Sequence, residues 1–233
     1  MSVYKTWIAT LVLLVAVTGV IGYSQFTILG MTSPIKLNLF GINAAAPGSH
    51  GDKFTVKSTG NVVQDVIKAV IPTGTPQYGP ELSVSFDSPV QSLSTLAKLD
   101  RQIPTSSLTA EEKQRFINVN TKISCEFCCS APATVDSNGR DLCGCAHAQS
   151  FRGLSKYLVR NHPTEYTDDQ ILLELTRWKA LYYPKNMVEK GVAAVQNGLE
   201  LSPAVLNDRD LLKKVQSKDL SSVGSLPSMV GGC

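Results

Sequence analysis

The sequence predicts a mainly α protein, with an N-terminal transmembrane helix and a helical ectodomain that carries a small cysteine-bearing β-hairpin. Three observations lead there. No charged side chain occurs from Thr6 to Ile35. Two capping boxes, Thr109 with Glu112 and Thr167 with Gln170, stand before apolar residues at helical spacing. Five of the six cysteines fall between Cys125 and Cys145.

The bulk composition narrows the function classes. A chain of 233 residues holds one moderate domain plus an anchor, or two very small domains. Charged residues make up 18%, below the roughly 25% of soluble domains, and the deficit lies at the N-terminus. A net charge of +3 with no basic run, and no cations interleaved with aromatics, excludes a nucleic-acid binder. The 7% aromatic content suits a core of Leu, Val and Ala.

The anchor is residues 1–30. Its densest stretch, 7–23, extends through Phe26 and Leu29 to the roughly 20 residues that span a bilayer core as a helix. Trp7 and Tyr23 take the two interfacial positions. Lys5 precedes the segment and the next cation is Lys36, so the charge bias leaves the N-terminus in the cytoplasm and the bulk outside. The protein is therefore expected in the cell membrane, single-pass, with the bilayer and a membrane protein as partners. A cleaved signal peptide competes, but the apolar run is long, and the small-residue site Ala44-Ala45-Ala46 lies far beyond it. A buried core helix would be an odd use of the extreme N-terminus.

Residues 31–86 read as a spacer followed by short irregular or strand elements. Gly, Ala, Pro, Ser and Asn dominate up to residue 61, residues 61–71 suit a short helix or strand, and residues 82–86 alternate like a strand. The helical cysteine-cluster domain occupies 87–220. Val90, Leu93, Leu96 and Ala97 repeat at helical spacing toward Asp100, and the first capping box opens a helix through Phe116. The second box precedes Ile171, Leu175, Trp178 and Tyr182 on one face. Pro184 ends that helix and opens another that closes at Asn197-Gly198, and residues 208–215 offer a last helix. Residues 221–233, rich in Ser and Gly, read as a flexible tail.

The chemistry lies in the cysteines. Cys125-Glu126-Phe127-Cys128-Cys129 is separated by thirteen residues from Cys143-Gly144-Cys145-Ala146-His147. The Asn138-Gly139 turn signal between them predicts a hairpin that sets Cys125 and Cys128 beside Cys143 and Cys145. Paired sulfurs at that separation resemble two knuckles closing on one metal, with Gly144 permitting the bend that a one-residue spacing demands. Thiolate-rich ligation selects zinc or copper as its cuprous ion, and an iron–sulfur cluster is chemically possible. The competing reading is a disulfide framework with no metal, in an envelope scaffold protein: thiols outside the cytoplasm oxidise, and six is an even count. Against it, the crowded cysteines would close only small loops, and adjacent Cys128 and Cys129 pair poorly. A redox dithiol at Cys125 and Cys128 lacks β-α-β surroundings.

On a helix over 146–161, His147, Phe151, Leu154 and Leu158 share one face, which turns His147 inward near Cys145 as a core histidine or a fifth candidate ligand. Arg152, Lys156 and Arg160 form the opposite stripe, expected to be solvated. His162 suits a helix cap, and His50 a solvated spacer. With Cys125, Cys128, Cys143 and Cys145 assigned to metal, Cys129 and Cys233 are left as a disulfide that would pin the tail.

Cys143-Gly144-Cys145 resembles the end of the Pro-Cys-Tyr-Cys-Gly-Cys signature of a bacterial membrane-attached family, and departs from it at Asp141-Leu142. The longer combination of Cys-x-x-Cys-Cys, Cys-Gly-Cys-Ala-His and Phe151-Arg152-Gly153-Leu154 resembles an uncharacterised archaeal membrane-anchored family, over roughly residues 125–183. The resemblance implies extracytoplasmic metal binding and supplies no reaction. Enzyme signatures are missing too: there is no metal-binding His pair, phosphate loop or Gly-x-Ser-x-Gly elbow. The expected role is therefore that of an accessory or interaction protein.

Overall fold

Helix starts in this chain are set by side chains that accept backbone amides. A computed structural model describes residues 53–215 and 223–232. In it, Asn61 Oδ1 accepts from Gln64 N at 3.1 Å and opens α1, Val62–Val70. A short α2, Gly79–Leu82, ends on Ser83 in the left-handed region. Helix α3, Pro89–Gln102, begins on a proline. Both capping boxes form, at Thr109 for α4, Ala110–Asn120, and at Thr167 for α6, Asp168–Tyr182. Between them, α5 runs Ala146–Asn161. Helix α7, Pro184–Gln196, follows α6 after Tyr183 alone and closes at Asn197, with Gly198 at positive φ. Two short helices, α8 (Pro203–Asn207) and α9 (Leu211–Lys214), complete the series.

Helix α5 lies at the centre. It packs along α3 and also touches α4 and α6, while α1 lies on α7. The close approach of α3 depends on Gly153: a Cβ there would overlap the Leu96 carbonyl and stand 2.8 Å from Asp100 N. Phe151, Leu154 and Leu158 of α5 meet Leu96 of α3, Val119 of α4 and Trp178 of α6 in the core. Arg115 ties α4 to the start of α6, donating to Asp168 Oδ1 at 2.7 Å and to the carbonyls of Pro163 and Tyr166 at 2.8 and 2.5 Å.

Burial around α5 overturns one expectation outright. Arg152 and Lys156, assigned to a solvated stripe, are only 1% and 3% exposed. Both reach Asp100 on α3, with Arg152 Nη2 2.7 Å and Lys156 Nζ 2.6 Å from its carboxylate. A helix covered by three neighbours has no free polar face, so its cations require buried partners. Only Arg160 keeps a half-exposed position, where it donates to Ser107.

Other differences lie in the flanks. Residues 61–71 choose helix, and 82–86 form no strand. Residues 53–86 belong to the folded body, with Phe54 N donating to Leu201 O at 3.0 Å and Val66 buried beside Gly191. The tail expected to be mobile is bonded back over 223–232: Lys185 N donates to Pro227 O at 3.1 Å, and Val230 N to Tyr182 O at 2.8 Å. The hairpin is reduced to one isolated bridge, Val135 with Asp141, closed by a turn in which Gly139 takes φ +79°. Beside the bridge Leu142 N donates to Thr134 O at 3.0 Å, but the Thr134 amide and hydroxyl are committed to Asn120 and Ile123, so the pairing goes no further. Among the described residues no helix is long and apolar enough to cross a membrane; the expected anchor, residues 1–30, lies outside them.

Candidate metal centre

The first cysteine segment follows α4 and folds into a turn of helical pitch. Cys125 O accepts from Cys128 N at 2.9 Å and from Cys129 N at 3.3 Å. In such a turn, residues four apart share a face. Cys129 therefore joins Cys125, their sulfurs 3.2 Å apart, and Cys128 does not. The sequence reading took Cys125 and Cys128 as the first knuckle; in the structure the sulfur beside Cys125 is that of Cys129. Cys128 groups instead with Cys145 and His147, one ligand atom from each lying within 4.8 Å of the others.

The second segment comes off the 134–142 turn and runs straight into α5. Cys143 is buried, and its carbonyl accepts from Arg152 Nη1 at 2.8 Å. Cys145 is the N-cap of α5, its sulfur accepting from Ala148 N at 3.4 Å. The sulfurs of Cys143 and Cys145 lie 3.5 Å apart. Gly144 does not supply a special bend: it is outside the positive-φ region, and a Cβ there would meet open space.

Four sulfurs thus converge from segments thirteen residues apart. Cys125 Sγ stands 3.2, 3.4 and 3.3 Å from those of Cys129, Cys143 and Cys145. Cys129 and Cys143 are joined as a disulfide, while Cys125 and Cys145 are free thiols. A tetrahedral zinc with bonds of about 2.3 Å separates its sulfurs by about 3.8 Å. Reduced, this cysteine cluster can hold one metal ion once the Cys129 and Cys143 sulfurs move apart by more than about an ångström, from bonding distance to tetrahedral spacing, while the other sulfurs shift by about half an ångström. A four-iron cluster gives each iron a different cysteine and needs the sulfurs set much wider, so the space between these four sulfurs suits one ion and not such a cluster.

The surroundings suit negative charge. Cys145 is lowered to about 4 by the hydrogen bond from Cys125, helped by His147 and the Ala148 amide, with burial working against it. Cys125 is driven up by the same bond and by burial, so the pair keeps its proton on Cys125. Behind Cys125, the Glu126 carboxylate lies between two buried ammonium groups, Lys190 and, at 3.4 Å, Lys179. That trio carries one net positive charge. Both ammonium groups also lie over the Phe127 ring, at 5.5 Å for Lys179 and 5.4 Å for Lys190. Burial lowers Lys179 to about 8, against the pull of Glu126 and of Cys125.

His147 is fully buried, as its helical face indicated. Its Nε2 lies 2.9 Å from the Val230 carbonyl, which can only accept, so Nε2 carries the proton. Nδ1 faces Tyr183 OH at 3.0 Å. Cys233, expected to bond Cys129, lies outside the described residues; Cys129 is paired with Cys143.

Sequence reasoning missed Glu126, Lys179 and Lys190. A signal existed for one of them: Lys179 follows Leu172 and Leu175 in the helical register that leads on to Tyr183. A lysine in a core stripe requires a buried partner. Nothing local indicated that the partner would be Glu126, 53 residues earlier.

Fold and site together define a helical domain with a cysteine cluster able to bind a metal ion. No family description, curated protein or solved structure matches the chain.

Proposed function

We propose that this chain is a membrane-anchored, extracytoplasmic protein that binds a metal ion, zinc or copper, through Cys125, Cys129, Cys143 and Cys145, and serves as an accessory or interaction protein. One observation carries the reading: the sulfurs of Cys129, Cys143 and Cys145, from two separated segments, stand 3.2–3.4 Å from that of Cys125. Four thiolates around a divalent ion leave a charge of about −2. The net positive charge of Lys179, Lys190 and Glu126 offsets part of it from behind Cys125. Zinc fits four thiolates and tetrahedral spacing best; cuprous copper accepts fewer sulfurs.

The test is elemental analysis of full-length, detergent-solubilised protein, reduced and loaded without oxygen. Bound metal that survives gel filtration supports the reading, and metal-free protein defeats it. The anchor is tested separately by adding protease to intact cells, where an outward domain is digested and a cytoplasmic one is spared until lysis.

The Cys129–Cys143 disulfide favours a second reading, an envelope scaffold stabilised by disulfides and without metal. Thiol titration of protein isolated without reductant separates the two. Metal-loaded protein releases reactive thiols from all four cysteines on denaturation, whereas the scaffold releases only those of Cys125 and Cys145.

A further inference from the structure

Cys145 belongs to two groups of potential ligands at once. One comprises Cys125, Cys129, Cys143 and Cys145; the other comprises Cys128, Cys145 and His147. We propose that the centre holds two metal ions, the second bound by Cys128, Cys145 and His147, with the Cys145 sulfur bridging both. The inference rests on the first site being a metal site and adds a second.

Three observations carry it. The imidazole of His147 is set up as a ligand by its outer partner: Nε2–H is fixed on the Val230 carbonyl, which leaves the lone pair on Nδ1. Ligating histidines commonly donate their second nitrogen to a backbone carbonyl in this way. Tyr183 OH lies 3.0 Å from Nδ1, and an ion bound there would require the hydroxyl to turn aside.

The chain also invests in holding that ring. Tyr182 and Tyr183 flank it at 4.9 and 5.0 Å between ring centres. The tail closes over it, with Val230 N on the Tyr182 carbonyl and Gly231 at φ +76°. A Cβ on Gly231 would stand 2.5 Å from Leu93 and 3.6 Å from His147 Nε2, so a glycine is needed for the tail to reach the ring.

Finally, Cys145 sits where a doubly ligating sulfur belongs, at the N-terminus of the sixteen-residue α5, with the Ala148 amide directed at it. Five thiolates and two divalent ions sum to −1. That is matched by the one net positive charge of Lys179, Lys190 and Glu126 behind the cluster.

Both sites require reduced sulfur. Cys129 and Cys143 form a disulfide, and Cys128 is disulfide-bonded as well. A dithiol reductant supplies two electrons and two protons per disulfide and is itself oxidised to a disulfide. Each thiol then loses its proton to buffer as it binds metal. The ligand class is a soft ion, zinc or cuprous copper, with cadmium as a spectroscopic substitute.

The experiment loads reduced, full-length protein with cadmium-113 without oxygen, then reads stoichiometry by elemental analysis and the ions by NMR. The wild type is expected to bind two equivalents and to give two cadmium signals that split each other through the shared sulfur. Cys128→Ser and His147→Gln should each bind one, with the four-sulfur signal retained and unsplit. One equivalent in the wild type, two unsplit signals, or two equivalents retained in both variants overturns the second site and leaves the first. No cadmium in the wild type overturns both.

Discussion

The sulfur of Cys125 lies 3.2 Å from that of Cys129 and is absent from the group that contains Cys128. One turn of helical backbone separates the two adjacent cysteines into different groups. Cys129→Ser should therefore weaken the tight metal site by on the order of a hundredfold or more, because an incomplete tetrahedral set loses most of its affinity. Cys128→Ser should leave that site intact. Competition with a chelator on the reduced variants reads both, and equal losses would refute the division.

Asp100 accepts from Arg152 Nε and Nη2 and from Lys156 Nζ, all buried. Asp100→Asn removes the charge, leaves buried Lys156 with only neutral acceptors and leaves Arg152 with the more exposed Asp141, 3.2 Å away, as its acidic partner. The expected loss is about 3–5 kcal/mol of stability, measured by urea unfolding. Arg152 also holds the Cys143 carbonyl at 2.8 Å, so metal should leave the variant faster than the wild type. A variant as stable as the wild type would show that the trio contributes nothing.

Gly153 is the point of closest approach between α3 and α5. Ala at this position places a Cβ against the Leu96 carbonyl and Asp100 N, both backbone atoms of a helix that cannot yield locally. Overpacking of this kind costs about 1–3 kcal/mol and occasionally more. Gly144→Ala, where a Cβ meets open space, serves as the control and should melt with the wild type.

Lys179 supplies the pH dependence. Burial lowers its pKa from 10.5 to about 8 in the folded protein. Between those values the unfolded chain holds the proton and the folded one does not, so stability rises with pH across that window. Below about pH 8 both states are protonated and the full penalty stands. The rise amounts to roughly 3 kcal/mol at about 1.4 kcal/mol per unit. Denaturation of the oxidised protein at pH 8 and at pH 10.5 should show it in the wild type and not in Lys179→Met. An identical slope in both would assign the effect elsewhere.

The sequence by itself determined the helices and the crowding of sulfur. Thr109, Thr167 and Pro184 start helices through contacts within four residues, and Asn197-Gly198 closes one in the same way. Such signals survive without knowledge of the fold. The inward face of His147 was legible too, from its spacing to Phe151 and Leu154 on one helix. The pattern did not distinguish Cys128 from Cys129, because the choice depends on whether residues 125–129 extend or coil. It also gave no warning that Arg152 and Lys156 are buried, since a polar stripe looks the same whether water or Asp100 faces it. Those outcomes were decided by tertiary structure: α3 closes on α5 over Gly153, Lys190 and Lys179 meet Glu126, and the tail reaches His147 through Val230. Local hydrogen bonds fix where a helix begins, but the partner of a buried charge or sulfur is set by packing between segments far apart in the chain.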